Sequence, residues 1–549
     1  MAYLMPFILA MVVTMVWLPV LRRLADRWLI IDQPGARKVH SSPIPRVGGM
    51  AMALGVFVAA LLSIHLQSAD RWFLVGATVL IVFGVADDRF DLDYRVKLLG
   101  QVLAVTVVVT AGDARIQTLV LGDRISLPDW VSLPLSVLFL VGVTNAVNLA
   151  DGLDGLAGGM TFLCLCAVAL LSSFGIPGSS TALALALAGA VLGFLRFNTY
   201  PATIFMGDAG SQLLGFSIAV LSIRATQNTS TDCSATIPVL LLALPILDTL
   251  SVMVQRVSEG RSPFSPDKNH IHHKLLALGF HHHEAVMVIY LLQGALFIAA
   301  YFLRYESDVL ILAIVLGFFL VSIATLQIAR RSGWQVRRRA ASASTSFAAA
   351  TMPSAEQSSA QRTWLVRLVD RVLALSVLLY ALLVVAKTAR ISSDFLVLVL
   401  GLMAIMIIYT AVLRVSPLTL VEKAALYIGI TGLVYLDSVR AAADSTSVAL
   451  GWVAVSVAAV ATAIRLRLST DRRFQVTPLD VIVLFVTLIV PSLPGTPKMS
   501  STAALALAKL VVLFYAIEML LSRADRRMWL RMTAVGVLAA LLLRPLALG

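Results

Sequence analysis

Four polar strings interrupt an otherwise apolar chain: DDRFDLD at 87–93, NAVNLADGLDGLAGG at 145–159, NTYPATIFMGDAGS at 198–211 and PDKNHIHH at 266–273. In the first, Asp87 and Asp88 are followed by Asp91 and Asp93, with Lys97 close behind. Clustered carboxylates repel one another unless a cation neutralises them. Mg²⁺ commonly takes one or two carboxylates and fills its shell with substrate phosphate oxygens. A lysine beside it can hold a phosphate as a point charge. The competing reading of this string is a solvated acidic loop at a bilayer surface.

In the second string Asn145, Asn148, Asp151 and Asp154 recur every third residue, a spacing that places all of them on one helical face. Gly152, Gly155, Gly158 and Gly159 let the backbone turn tightly or approach a ligand. A helix cap followed by a glycine turn is the alternative. In the third, Asp208 stands among glycines just before Ser211, where a new helix should begin, with Asn198 and Phe205 upstream. Such an aspartate can be a metal ligand or simply an N-cap. In the fourth, His270, His272 and His273, with Lys268 and Arg261 nearby, form a donor-rich patch suited to a diphosphate. Zinc is the rival, but no Cys lies nearby and the H-x-H-H spacing matches neither a finger nor HExxH. His281, His282 and His283 read as a surface tract. After the first apolar run, IDQPGARKVHSSPIPRVGG reads as a fixed loop. Its Arg37, Lys38 and His40 suit a lipid phosphate or are ordinary loop charge.

Helices in a membrane must position these groups. Of the 549 residues, 59% are hydrophobic and only 13% charged, more apolar surface than a soluble fold hides. Runs of roughly 18–20 apolar residues, separated by charged gaps, read as spans. About eleven lie near 3–21, 48–66, 72–86, 96–111, 132–147, 158–175, 181–196, 212–224, 237–255, 285–303 and 309–328, and about seven more beyond residue 366. The first lacks a basic leader and a small-residue cleavage site, and reads as a retained helix. The predicted fold class is therefore an all-α polytopic membrane protein. The predicted domains are 1–330, a Ser/Ala-rich linker at 331–365, and a second polytopic domain at 366–549.

The net charge of +13 would suggest nucleic acid in a soluble protein. Here the basic residues cluster in alternate gaps, such as Arg22, Arg23, Arg27, Arg37, Lys38 and Arg46 after the first span. The positive-inside rule accounts for them, puts the N-terminus outside and places all four polar strings on the cytoplasmic side. Cys164, Cys166 and Cys233 provide no disulfide or metal framework.

With these strings assembled, the first 330 or so residues resemble the polyprenyl-phosphate N-acetylhexosamine-1-phosphate transferases. The carrying strings are DDRFDL, NAVNLADGLDGLAGG, NTYPATIFMGDAGS and PDKNHIHH, in family order. The resemblance implies transfer of a sugar-1-phosphate, GlcNAc-1-phosphate by default, from a UDP-N-acetylhexosamine to undecaprenyl phosphate with release of UMP. It implies a bacterial inner-membrane enzyme that initiates an envelope polysaccharide such as an O-antigen, with Mg²⁺ (or Mn²⁺) as cofactor and a homodimer as one compatible assembly. By residue, it implies that Asp87 and Asp88 act at the lipid phosphate and Lys97 in the catalytic site. Asp208 would ligand the metal and Asn148 lie beside it. Asp151 and Asp154 would line the nucleotide side with Phe205 near the uracil, His270, His272 and His273 would face the diphosphate and sugar, and Asn145, Asn198 and Lys268 would bind substrate. The resemblance carries no role for the C-terminal domain. Rival classes are a membrane prenyltransferase or CDP-alcohol phosphotransferase, which also use Asp-held Mg²⁺, and an ion-coupled transporter, which would place its carboxylates at mid-span.

Overall fold

The structure is a computed structural model. It describes residues 4–33, 43–121, 123–174, 178–227, 233–262, 269–336, 356–387, 445–468 and scattered positions from 429 to 520. The first elements in chain order are α1 (Leu4–Trp28), β1 (Ile31–Asp32), β2 (Ile44–Pro45), α2 (Gly48–Ser63), α3 (Ser68–Phe90) and α4 (Tyr94–Thr110). There follow β3 (Thr118–Leu121), β4 (Asp123–Ser126), α5 (Asp129–Ala150), α6 (Leu156–Leu171), α7 (Ser179–Asn198) and α8 (Gly207–Gln227). Then come α9 (Ile237–Leu241), α10 (Ala243–Ser258), α11 (Ile271–Ala277), α12 (His282–Phe302) and α13 (Asp308–Arg331). The chain divides into two units, Met1–Ala341 with Thr477–Val486, and Ser342–Val476 with Thr487–Gly549.

In the first unit α8 is the middle helix. Every residue from Ala209 to Thr226 is buried, and α2, α3, α5, α6 and α7 pack around it. Its sequence explains this position, because small and apolar residues occupy the whole circumference rather than one stripe. The charged exception, Arg224, is matched at the far end: Nη1 lies 3.0 Å from Asp70 Oδ1, and Nε donates to Gly112 O at 3.1 Å. At the other end of the same two helices, Asp88 of α3 meets the first turn of α8. The two contacts fix α3 and α8 as antiparallel neighbours. Removing one partner of a buried pair such as Arg224–Asp70 typically costs about 3–5 kcal/mol.

Asp308, fully buried at the start of α13, ties that far end further. It accepts from Thr236 N–H at 3.0 Å and Thr236 Oγ1 at 2.9 Å, and from Ser234 Oγ and Val120 N–H. The last contact joins the β3–β4 hairpin to the helices. Two such two-stranded hairpins, β1–β2 and β3–β4, correct the purely α expectation. Strands of two to four residues, such as TLVL, are too short to stand out beside the apolar runs.

Among the described residues seven helices are long and apolar enough to cross a membrane, six of them in the first unit: α1, α3, α5, α7, α12 and α13. Helices also occupy the other expected spans, but α2 and α6 are shorter, and the span expected at 237–255 is two helices. The break follows from Pro245, which has no N–H and whose ring displaces the carbonyl four residues back. That carbonyl, Leu241 O, instead accepts from Gln293 Nε2 of α12 at 2.9 Å. Gln293 is fully buried, so its polarity has this use.

In the second unit α14 (Glu356–Lys387) packs on α15 (Ser445–Leu468), around Leu373, Ala458, Ala461, Ala516, Met519 and Leu520. Its buried charges are paired: Arg465 Nε donates to Asp370 at 2.9 Å, and Lys509 Nζ to Asp437 at 2.6 Å, with Tyr380 Oη on the same carboxylate at 3.1 Å. α14 begins inside the stretch expected as linker, and its Trp364–Val385 segment is the seventh candidate span. Of the other spans expected there, those near 394–413 and 530–547 lie outside the described residues.

Gln293→Leu leaves the Leu241 carbonyl without its amide donor. The expected loss is about 1–3 kcal/mol, read as a lower unfolding temperature in detergent; an unchanged temperature would show that the α9–α10 break does not depend on Gln293.

Candidate active site

The amino end of α8 is where separate parts of the chain meet. Asp88 of α3 sends its carboxylate into that end, accepting from Asp208 N–H at 2.9 Å and Ala209 N–H at 3.2 Å. Free N–H groups of a first turn need an acceptor, and the positive end of the helix favours an anion. A side chain from another helix thus does what an N-cap residue normally does. The approach is close. Gly207 has φ +70°, and a Cβ there would lie 2.3 Å from Asp88 Oδ2. A Cβ on Gly84 would lie 2.4 Å from Ala209 Cα. α2 arrives from the other side, with Gly48 N–H donating to Phe205 O at 2.9 Å and Gly49 N–H to Met206 O at 2.8 Å.

Asp208, the second residue of α8, faces outward from this junction. Its side chain is 25% exposed and that of Lys97 is 26%, whereas Asp87 and Asp88 are each 1% exposed. Lys97 Nζ lies 2.5 Å from Asp87 Oδ2 and 3.4 Å from Asp208 Oδ2. The other oxygen of Asp87 accepts from Leu92 N–H at 2.8 Å. Arg46 adds a second cation, paired with Asp32 and 3.9 Å from Asp88 Oδ1. Burial alone would raise the Asp208 pKa, but its hydrogen bond with Asp87 and the charges of Lys97 and Arg46 outweigh it and hold this carboxyl below its ordinary range.

Asn148, near the end of α5, accepts from Ser211 Oγ through Oδ1 at 2.7 Å, one turn beyond Asp208. The helical stripe expected over Asn145, Asn148, Asp151 and Asp154 is not continuous. α5 stops at Ala150, Asp151 follows it, and Asp154 lies in a loop that ends on Gly155 at φ +80°. That conformation suits glycine, and it turns the chain into α6. Asp154 Oδ2 accepts from Ala202 N–H at 2.9 Å, joining this loop to the 198–206 segment.

Two expected substrate contacts have internal uses. Asn145 Nδ2 donates to Gln101 Oε1 at 2.6 Å, and Gln101 Nε2 donates to Gln212 Oε1 at 3.3 Å, an amide network between α4, α5 and α8. Asn198 is 3% exposed; its Oδ1 accepts from Gly155 N–H and its Nδ2 donates to Ile204 O, both at 3.0 Å. Phe205 is half-buried, and its N–H donates to Pro45 O at 2.8 Å.

The histidine string reaches the same end of the bundle. A Cβ on Gly152 would lie 2.3 Å from His272 Nε2, so the ring of His272 rests on the Asp151–Gly155 loop. His270 and His272 stack at 5.7 Å and 6°, and His273 lies 4.3 Å from His272. Burial, then the neighbouring His273, pushes His272 down to about 3, and it stays neutral at physiological pH. His270 is held by Asp248 of α10, with Nδ1 2.9 Å from Oδ2. His282, read as part of a surface tract, instead stacks on Tyr200 at 4.6 Å. Lys268, Arg37, Lys38 and His40 lie outside the described residues.

The comparisons with known proteins bear on this arrangement. A family profile described as glycosyl transferase family 4 matches residues 71–226, which contain Asp87, Asp88, Lys97, the asparagine–aspartate string and Asp208. A probable undecaprenyl-phosphate N-acetylglucosaminyl 1-phosphate transferase of Bacillus subtilis (strain 168) is 38% identical over 301 residues, 54% of this chain and 84% of its own length. The chain belongs to this family of transferases. A decaprenyl-phosphate N-acetylglucosaminephosphotransferase of Mycobacterium tuberculosis (strain CDC 1551 / Oshkosh) is 38% identical over 304 residues, half of this chain and 75% of the relative. An undecaprenyl-phosphate alpha-N-acetylglucosaminyl 1-phosphate transferase of Escherichia coli (strain K12) is 28% identical over 328 residues, 58% of this chain and 88% of the relative.

Reading the sequence missed Gln101, Gln212, Tyr290 and Asp248 as supports of the candidate site, and took Arg46 for ordinary loop charge. Tyr290 Oη donates to Gly155 O at 2.6 Å. For the four helix residues the signal was present: a polar side chain inside an apolar run has to meet a partner.

Asp151 supplies a pH test. Burial, then the anions of Asp208 and Asp154, push it up to about 7, with Arg46 working against them. A carboxyl raised on folding destabilises the native state where it must ionise, from the unfolded value near about 4 upward and fully above the raised value. Asp151→Asn is therefore expected to raise the unfolding temperature of substrate-free, chelator-treated protein more at pH 8 than at pH 5. An equal shift at both would remove the buried charge as its cause.

Proposed function

We propose that this transferase moves N-acetylhexosamine-1-phosphate, most simply GlcNAc-1-phosphate, from a UDP-sugar to undecaprenyl phosphate and releases UMP. The site would lie at the cytoplasmic face of a bacterial plasma membrane, the side on which the positive-inside pattern puts these loops. The observation that carries this reading is the contrast at the amino end of α8. Lys97 and Asp208 reach solvent side by side, while Asp87 and Asp88 stand behind them, buried and already bonded to Lys97 and to the α8 backbone.

Both substrates are anions, so charge neutralisation and positioning dominate what the protein has to supply. Lys97 is held by Asp87 where it can neutralise incoming phosphate. An oxygen of the lipid phosphate attacks the phosphorus next to the sugar, the bond to the bridging oxygen breaks, and UMP leaves with that oxygen. In this reading Asp87 acts through Lys97, and Asp88 acts by anchoring the helix that carries Asp208. Ionised Asp208 and the amide oxygen of Asn148 are hard oxygen donors on adjoining helices, the second accepting from the Ser211 hydroxyl one turn past Asp208. Among the described residues no three His, Cys, Asp or Glu side chains form a metal cage of their own. That set suits Mg²⁺, which needs only one or two carboxylates when phosphate and water complete its shell. Bound there, Mg²⁺ would neutralise diphosphate charge and make UMP a better leaving group.

Membership of the transferase family favours this chemistry over ion-coupled transport, and the bases for a prenyltransferase or a CDP-alcohol phosphotransferase are correspondingly weaker. Purified protein in nanodiscs, given undecaprenyl phosphate, Mg²⁺ and a panel of UDP-N-acetylsugars, should release UMP and form one lipid-linked sugar. Chelation should stop the reaction and Mg²⁺ restore it. Asp208→Ala and Lys97→Met should each lower turnover by about 10²–10³-fold, the effect of removing one preorganised charge-stabilising group. Full turnover by Asp208→Ala would reject its assigned role, and absence of UMP with every sugar would reject the reaction.

A further inference from the structure

Asp248 is 6% exposed and His270 5%, both well inside the protein. The aspartate comes from the apolar run ALPILDTLSV of α10 and has two partners across a connection that returns the chain to α11. Oδ2 lies 2.9 Å from His270 Nδ1, and Oδ1 accepts from Ile271 N–H at 2.7 Å. An ionised carboxylate can only accept, so Nδ1 of His270 carries the proton and Nε2 is the nitrogen left for another partner. The ring then stacks on His272, which rests against Gly152 beside Asp151. A chain of direct contacts thus runs from α10 to the loop that lines the site. The sequence placed His270 there, and nothing in the motif spacing implicated Asp248, 22 residues away.

A carboxylate with no role beyond membrane-helix packing is expensive to bury. Capping Ile271 N–H needs one oxygen; the second is committed to the imidazole. We propose that Asp248 is a positioning residue for His270: it sets the ring's tautomer and orientation so that Nε2 meets the diphosphate of the sugar donor, and its charge supports the ring against that anion. This inference rests on the transferase reading above. The carboxylate–imidazole arrangement is the one by which proteins commonly fix a functional histidine.

The test is a double-mutant cycle on the full chain in nanodiscs: wild type, Asp248→Asn, His270→Gln and the double variant, assayed by UMP release with UDP-GlcNAc and undecaprenyl phosphate. Asparagine keeps the shape but offers one acceptor to two donors. Asp248→Asn should lower kcat/KM for the donor by about 10- to 100-fold, mainly through KM, with the KM for lipid phosphate nearly unchanged. In the His270→Gln background the same change should have almost no further effect, because the two act as a unit. Asp248→Glu, which keeps two acceptor oxygens, should recover part of the loss. If Asp248 is only a structural cap, the two losses multiply and both substrates' KM values move together, which overturns the proposal. Wild-type kinetics in a folded Asp248→Asn protein would overturn it as well. Should Asp248→Asn not fold, the glutamate variant decides: recovery of stability without recovery of the donor KM counts against positioning. A wild-type protein that turns over no UDP-sugar overturns the transferase reading itself, and this inference with it.

Discussion

The contact on which the structure depends is the carboxylate of Asp88 set into the amino end of α8. It satisfies two backbone N–H groups that no residue of α8 caps, and it places an anion where the helix dipole is positive. Because the anion belongs to α3, the same bond locks two antiparallel helices at the site. Little else fits there: Gly207 is in the left-handed region, and Gly84 lets α3 approach α8 backbone to backbone. The arrangement leaves Asp208, Lys97 and Arg46 reaching outward, backed by a layer of buried, bonded aspartates. Held this way, the outward groups lose little freedom when a substrate arrives.

A helix bundle in a membrane gains little from the hydrophobic effect between its helices, since lipid is as apolar as leucine. Its register has to come from close packing and from polar groups that find one another. The first unit has both. Arg224 with Asp70, and Asp308 with the 234–236 segment, fix one end. The Gln101–Asn145–Gln212 network ties α4, α5 and α8 partway along, and the Asn198 and Tyr290 contacts on Gly155 fix the other end. The buried ion pairs of the second unit follow the same rule between the segments of that unit.

Much of the site was legible in the sequence because polar residues are costly among apolar spans, so their mere presence marks a use. DDRFDLD, the asparagine–aspartate string, the GDAGS turn and the HIHH turn do come together at one end of the first unit. Which side chains face a ligand was less legible. Asn145 and Asn198 have the right type and place, and both also bond neighbouring amides and backbone. Asp87 and Asp88 look equivalent in sequence, but one holds Lys97 and the other holds α8. The three-residue period that joined Asn145 to Asp154 was read through a helix end, where glycine conformations override periodicity. The broken ninth span follows from Pro245, a local signal that a hydropathy window averages away.

The sequence by itself determined the class of the protein, its largely helical, multi-pass character and the chemical types gathered at the candidate site. It could do so because composition and period report directly on solvent and on local backbone. Only the tertiary structure decided which of these groups stand in front and which behind, that Asp248 supports His270, and that a carboxylate from α3 caps α8. Those outcomes depend on contacts between residues as much as 121 positions apart. At the α3–α8 contact they are set by the glycines that allow two backbones to meet, a property of a pair of helices that no single stretch of sequence displays.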